Sequence, residues 1–204
     1  MRIGLDLDNT LVAYDTAFLA VGKAEGLLPP DFAGGKAAVK ARLLAERPDG
    51  RSWETLQGQV YGRRIDQAVL YPGAADFLAL CRAEAVALAI VSHKTVLAHH
   101  DPQGTNLHEA ALAWLGRQGF FGDDGFGLAP ESVYFERTRE DKVRRIRALG
   151  CDVFIDDLPE VLAHAELPRH CRKILFGAAP DAAPEGCERY ASWHEIARAL
   201  FPGT

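Results

Sequence analysis

Two carboxylates at the end of the first apolar run are the strongest chemical signal in the sequence. The apolar side chains of residues 3–7 fit a buried strand of a parallel sheet, and residues 9–10 mark where the strand gives way to a loop. Asp6 and Asp8 fall at its carboxyl end, the edge at which open α/β sheets bind ligands. Two ionised acids this close repel each other, and a cation or a raised pKa relieves the repulsion. The pattern predicts a functional site, with an ordinary polar turn as the alternative.

Further along the chain, other apolar runs also end in polar side chains that could do chemistry. Residues 86–91 lead into Ser92-His93-Lys94, and residues 151–155 lead into Asp156-Asp157. Between these runs lies a predicted helix that carries Lys142. Each of these groups suits a site for phosphate and a divalent cation, because hydroxyl and ammonium groups bind phosphate oxygens and carboxylates bind Mg²⁺.

This order of motifs resembles the haloacid dehalogenase-like (HAD) hydrolase superfamily, of the phosphatase type, over nearly the whole chain. The matching positions are Asp6-x-Asp8-x-Thr10 for the first motif, Ser92 for the second, Lys142 for the third and Asp156-Asp157 for the fourth. The resemblance implies an α/β fold with a Rossmann-like, doubly wound parallel sheet and a small α-helical cap inserted after the first motif.

The resemblance also implies a role for each catalytic residue. Asp6 would be the nucleophile that forms an aspartyl-phosphate. Asp8 would be the general acid and base, which favours phosphate-ester hydrolysis, because a halide leaves without a proton. Ser92 would donate a hydrogen bond to a phosphoryl oxygen, and Lys142 would neutralise the charge shared by nucleophile and phosphoryl group. Lys94 is the alternative candidate for that cation.

By the same resemblance, the expected cofactor is Mg²⁺. Its protein ligands would be the Asp6 carboxylate, the Asp8 backbone carbonyl and the pair Asp156 and Asp157. One aspartate of the pair would bind directly and the other through water. We favour Asp157 as the direct ligand.

Seven side chains are expected to contact a small anionic phosphorylated substrate. They are Asn9, Thr10, His93, Lys94, Tyr61, Arg63 and Arg64. Residues 36–64 carry seven basic and three acidic side chains, a local balance of +4 that would attract anions. The spacing of the histidines matches no zinc motif, so we expect no zinc site at His93, His99, His100 and His108.

Periodicity divides the chain into an expected core and an expected insert. Strands and helices alternate from residue 71 onward, which predicts a core of residues 1–14 and 71–204. Residues 15–70 look helical with several Gly and Pro breakers, and we expect them to form the cap. In the core, helices are expected to start at Asn106, Thr138 and Ser192.

Composition excludes several other classes of protein. The 204 residues carry a formal charge of −5, so a general nucleic-acid-coating role is not expected. No apolar stretch is long enough for a membrane span, and the first residues do not resemble a signal peptide. The four cysteines lack metal-site spacing, which favours reduced thiols in a cytoplasmic protein.

The function that these observations predict is Mg²⁺-dependent hydrolysis of a small phosphomonoester through an aspartyl-phosphate. Two alternatives stay open. A phosphotransferase or mutase would use the same fold and intermediate but pass the phosphoryl group to a sugar hydroxyl. A non-catalytic HAD-like domain that binds a metabolite or partner would have no need of the full motif set.

Overall fold

A computed structural model describes residues 1–101, 103–177 and 183–203, and its main element is a six-stranded parallel sheet. The described strands are β1 (Arg2–Leu5), β2 (Val12–Ala13), β3 (Val69–Leu70), β4 (Ala87–His93), β5 (Val133–Glu136), β6 (Val153–Asp156), β7 (Arg172–Phe176) and β8 (Cys187–Tyr190). The described α-helices are α1 (Asp15–Ala24), α2 (Lys36–Glu46), α3 (Arg51–Tyr61), α4 (Ala74–Ala83), α5 (Leu107–Arg117), α6 (Arg139–Leu149), α7 (Pro159–Leu162) and α8 (Trp193–Leu200).

The order of the strands explains why the chemistry gathers at one edge of the sheet. The order is β5-β4-β1-β6-β7-β8, and every neighbouring pair is parallel. The chain adds β4 and β5 on one side of β1 and the last three strands on the other side. The connections between strands therefore run in opposite directions on the two sides of β1. Doubly wound sheets bind ligands at such a point, beside the carboxyl ends of the strands. The predicted Rossmann-like α/β fold is confirmed.

The centre of the sheet is buried on both faces. Ile3 and Leu5 of β1 are fully buried, as are Phe154 and Ile155 of β6. Gly4 lies between them, and a Cβ atom there would stand 2.6 Å from Cδ2 of Phe154. A glycine is required at this position because the neighbouring ring occupies the space of a side chain.

Side-chain caps fix the start of three helices, as the sequence predicted. The Asn106 side chain accepts hydrogen bonds from two backbone N–H groups of α5. The Thr138 hydroxyl accepts one from Asp141 N–H at 3.0 Å, and the Ser192 hydroxyl accepts one from Glu195 N–H at 3.3 Å. These caps satisfy N–H groups that a helix cannot satisfy itself. The Thr138 cap sets the start of α6, and hence the position of Lys142 one turn later.

The described chain separates into two compact units. The first holds Met1–Val12, Leu70–Lys94 and the described residues from Gly119 onward, and the second holds Ala13–Val69 and Thr95–Gln118. The sequence prediction placed residues 95–118 in the core, and the structure corrects this assignment.

Contacts within the second unit give the physical reason for that correction. A Cβ at Gly58 on α3 would stand only 3.0 Å from the Cβ of Ala98, so the segment after β4 packs closely on this helix. The buried indole N–H of Trp114 on α5 donates to the backbone carbonyl of Ala68 at 3.2 Å. That residues 15–70 act as a cap stays a prediction.

An aromatic cluster forms the interior of the second unit. The rings of Tyr14 and Tyr61 meet edge to face with centroids 4.6 Å apart, and those of Phe18 and Trp53 stack at 4.9 Å. The ammonium group of Lys36 lies 5.7 Å from the Phe18 ring centroid. Paired aromatic rings add to the stabilisation that burial alone provides.

Three features were not predicted from the sequence. Strand β8 was missed because its residues lack an apolar alternation, and Arg172 on β7 supports it through hydrogen bonds to both carboxylate oxygens of Glu188. The other two are the short strands β2 and β3, which pair in a separate sheet. With two residues each, they are too short to give a periodic signal.

The cysteines are thiols, as expected. Burial raises the pKa of Cys81 to about 12 and that of Cys151 to about 11, which makes both poor nucleophiles. None of the described helices is long and apolar enough to cross a membrane.

We expect Gly4→Ala to lower the free energy of unfolding by about 1–3 kcal/mol, since the added methyl group would overlap the Phe154 ring. Denaturant unfolding followed by tryptophan fluorescence measures the change. The matched control is Gly116→Ala, at an exposed position of α5, which should be neutral or stabilise by up to about 1 kcal/mol, because alanine is the better helix former. A Gly4→Ala protein as stable as the wild type would contradict the packing argument.

Candidate active site

The carboxyl ends of three adjacent strands bring together most of the residues that the sequence singled out. In the sheet, Leu5 of β1 pairs with Ile90 of β4 on one side and with Ile155 of β6 on the other. Asp6, Ser92 and Asp156 follow these positions directly or within two residues. All three side chains are buried. A buried carboxylate is rare unless it is paired with another group.

Asp6 is held on both carboxylate oxygens. Lys142 Nζ donates to Oδ1 at 2.6 Å, and the Thr10 hydroxyl donates to Oδ2 at 3.1 Å. The backbone N–H of Asp6 donates to the Ile155 carbonyl at 2.9 Å, which ties the residue to β6. Both oxygens of this side chain are therefore held in place, which is the preorganisation that a nucleophile at this position would need.

Lys142 bridges two of the carboxylates. Its Nζ lies 2.6 Å from Oδ1 of Asp6 and 2.7 Å from Oδ2 of Asp156, and the residue is 1% exposed. Burial by itself lowers the pKa of Lys142, but the negative charges of Asp6 and Asp156 outweigh it and raise the net pKa. The lysine therefore carries a full positive charge at neutral pH.

The site carries an excess of negative charge. Burial raises the pKa of Asp6 well above its ordinary value, Lys142 opposes the shift, and the charges of Asp156, Asp157 and Asp8 add to it. A cation bound among these carboxylates would relieve the repulsion and favour the ionised form of Asp6.

Three aspartates supply donor atoms for such a cation. Carboxylate oxygens of Asp6, Asp156 and Asp157 lie within 4.8 Å of one another, a hard-oxygen set that fits Mg²⁺. Asp156 also accepts a hydrogen bond from Leu158 N–H at 2.9 Å through Oδ1, while its Oδ2 faces Lys142. With both Asp156 oxygens engaged, Asp157 is the better candidate for direct binding. Across the described residues, no histidine belongs to a group of this kind.

Ser92 presents a buried hydroxyl to the site. It is 1% exposed, and within the described parts of the chain its Oγ has no hydrogen-bond partner. Leaving a buried hydroxyl unsatisfied costs about 1–3 kcal/mol. A hydroxyl in this state suits a ligand that accepts a hydrogen bond, such as a phosphoryl oxygen.

The two residues after Ser92 make different contacts. His93 is exposed, and its Nε2 lies 3.0 Å from the carbonyl of Arg137, just before the cap of α6. Lys94 is buried, and its Nζ lies 2.7 Å from Oδ2 of Asp8. The structure thus gives both side chains protein partners, and their contact with substrate stays a prediction.

The loop after β1 is a tight turn that the sequence only outlined. Asn9 adopts a left-handed conformation with φ 64°, and its N–H donates to the Val12 carbonyl at 2.9 Å. Asparagine tolerates this conformation better than most residues. The carbonyl of fully buried Thr10 accepts a hydrogen bond from the indole of Trp193 at 3.1 Å. Nothing in the sequence pattern linked Trp193 to this turn.

The three other predicted substrate contacts lie in the second unit. The Tyr61 hydroxyl accepts a hydrogen bond from Lys36 Nζ at 2.8 Å, within the aromatic cluster. Arg64 N–H donates to the Gln59 carbonyl at 2.9 Å, while Arg63 places its charge near Asp101. Their role in substrate binding stays a prediction.

Comparison with known proteins adds a structural likeness. No protein-family model and no curated protein matches this sequence. A HAD-family hydrolase from Deinococcus radiodurans, with bound phosphate and sodium, is 19% identical with a TM-score of 0.56, over 98% of this chain and 94% of that one. A HAD-superfamily hydrolase of subfamily IA from Geobacter sulfurreducens is 14% identical with a TM-score of 0.56, over 98% and 95%.

A third solved structure, from Haemophilus somnus, is described as a predicted phosphoglycolate phosphatase. It is 17% identical with a TM-score of 0.51, over 86% of this chain and 84% of that one. At such low identity the likeness establishes the fold and not the substrate. The strand order, the four motifs and these likenesses agree, and the chain has the fold of the haloacid dehalogenase-like hydrolases.

Proposed function

We propose that this protein hydrolyses a small phosphomonoester with the help of Mg²⁺. The observation that carries the proposal is the setting of Asp6, a buried carboxylate fixed between Lys142 and Thr10, with Asp8 two residues further on. The proposal also draws support from solved structures of the same fold, one with bound phosphate and one described as a predicted phosphoglycolate phosphatase.

In the proposed reaction, an oxygen of Asp6 attacks phosphorus and the ester P–O bond breaks. Asp8 gives a proton to the leaving oxygen and later takes a proton from the water that attacks the aspartyl-phosphate. That second attack restores Asp6 and releases inorganic phosphate. Each step is easier than direct attack of water on the ester, because the nucleophile and the acid are already in place.

Two side chains would handle the phosphoryl group. The Ser92 hydroxyl is positioned to donate to one of its oxygens, which would satisfy a group that otherwise lies buried without a partner among the described residues. Lys142 would stabilise the charge that passes between Asp6 and the phosphoryl oxygens. Since Lys142 is already charged and buried, it needs no rearrangement to act.

Asp6, Asp157 and the backbone carbonyl of Asp8 are the proposed direct ligands of Mg²⁺, with Asp156 acting through water. Bound there, Mg²⁺ would supply the positive charge that lets a phosphate dianion approach an anionic nucleophile. Asp156 also makes structural contacts, because it pairs with Lys142 and accepts a hydrogen bond from Leu158 N–H at the start of α7. A phosphotransferase would share all these residues, and release of inorganic phosphate to water distinguishes the two functions.

We expect the purified protein to hydrolyse p-nitrophenyl phosphate in the presence of Mg²⁺ and to lose this activity in excess EDTA. The physical reason is the unrelieved repulsion between substrate and carboxylates once the cation is removed. Release of inorganic phosphate is the measurement, and excess Mg²⁺ added back should restore the rate. Full activity in EDTA would rule out the metal-dependent mechanism.

Substitution of the two acids of the first motif should impair the reaction at different steps. Asp6→Asn should abolish turnover and prevent formation of a phosphoenzyme, because the nucleophile is gone. Asp8→Asn should lower turnover by about 10²-fold or more but let the aspartyl-phosphate accumulate, since the attacking water loses its base. Intact-protein mass after an acid quench detects the covalent phosphate. Near-normal turnover by Asp6→Asn would reject the nucleophile assignment.

Metal binding can be tested without turnover. Mg²⁺ should raise the melting temperature of the wild type, because a ligand that binds only the folded state stabilises it, by about 2–4 °C for each kcal/mol in a chain of this size. Asp157→Asn should lose most of that increase. The control is Asp152→Asn at the other end of β6, where the carboxylate accepts a hydrogen bond from Arg2 N–H. An Mg²⁺-induced increase of equal size in both variants would remove Asp157 from the ligand set.

A further inference from the structure

A second buried lysine lies in the candidate site, and the reaction described above does not use it. Lys94 is 4% exposed, and its Nζ lies 2.7 Å from Oδ2 of Asp8. Its backbone N–H donates to the Glu136 carbonyl at 3.0 Å, which holds the end of β4 against β5. The backbone of the residue that carries this ammonium group is therefore held in place.

The alternation of β4 continues through this lysine. Ser92 and Lys94 are both buried, while His93 between them is exposed. Residues two apart on an extended chain point to the same side. Ser92 and Lys94 are thus delivered to the same side of the strand end, where the hydroxyl would bind the proposed phosphoryl group and the ammonium contacts Asp8.

The two buried lysines contact different carboxylates. Lys142 lies against Asp6 and Asp156, and Lys94 lies against Asp8. Lys94 is therefore not a substitute for Lys142, which the sequence had left open. An ammonium so fully removed from water interacts more strongly with a nearby carboxylate than one at the surface.

We propose that Lys94 is a positioning residue for Asp8. Its ammonium group fixes the carboxylate in the orientation that lets Asp8 give a proton to the leaving oxygen and then take one from water. Asp8 needs such support because it stands in the tight turn with Asn9 rather than in a strand, and its side chain is 17% exposed. This inference rests on the proposed function of Asp8 as the general acid and base.

Substrates with different leaving groups separate this role from phosphate binding. Dinitrophenolate leaves without a proton, whereas an alkoxide does not. Lys94→Met should therefore lower kcat/KM for glycerol phosphate by about 10²-fold and that for dinitrophenyl phosphate by less than about 3-fold. Equal losses on both substrates would show that Lys94 acts on the phosphoryl group and would overturn the proposal. Unchanged kcat/KM on both substrates would overturn it as well.

A double-mutant cycle tests whether Lys94 acts through Asp8. Adding Lys94→Met to Asp8→Asn should cost less than about 2-fold on glycerol phosphate, because the group that the lysine positions is already disabled. If the losses of the two single variants multiply in the double variant, Lys94 does not act through Asp8. Lys173→Met on β7 is the matched control for loss of a strand lysine and should leave the ratio of the two substrates unchanged.

A structural readout makes the test independent of turnover. Crystal structures of the wild type and Lys94→Met should show one Asp8 rotamer in the first and a changed or divided rotamer in the second. An Asp8 side chain that keeps its rotamer without the lysine would overturn the inference, even if the protein hydrolyses no phosphate ester at all. Absence of hydrolysis in the wild type alone would instead refute the proposed function. If Lys94→Met does not fold, Lys94→Gln removes the charge, keeps a donor and serves in the same comparisons.

Discussion

The site depends on one buried ammonium group placed between two buried carboxylates. Lys142 lies 2.6 Å from Asp6 and 2.7 Å from Asp156, and all three side chains are almost entirely removed from water. Breaking a buried ion pair by removing one partner is strongly destabilising, because the remaining charge is left uncompensated. The geometry of Asp6 at the end of β1 and that of Asp156 at the end of β6 are thus set by the same interaction.

The fold supplies each member of this interaction from a different element. Parallel strands β1 and β6 end side by side and deliver the two acids, while the Thr138 cap starts α6 at a point that brings Lys142 between them. Four aspartates and two lysines leave the site with two surplus negative charges when all are ionised. A divalent cation is the simplest counterpart to that surplus.

The sequence predicted what depends on local pattern and missed what depends on distant packing. Apolar runs and caps located the strand ends, so the positions of Asp6, Ser92 and Asp156 followed from the order of a parallel sheet. The partner of Lys94 could not be read in this way, because nothing in a local pattern indicates which carboxylate a buried lysine will meet. Nor could the placement of residues 95–118, which look like an ordinary crossover helix but pack with α3.

The placement of residues 95–118 in the second unit affects the design of chimeras between proteins of this fold. The second unit is assembled from two stretches of chain, and the covalent path passes between the units at four peptide bonds instead of two. A chimera that transplanted residues 15–70 alone would separate Gly58 from Ala98 and Ala68 from the indole of Trp114. Exchange of the second unit therefore requires both stretches to be transferred together, and the splice after Lys94 falls directly next to the residue whose side chain contacts Asp8.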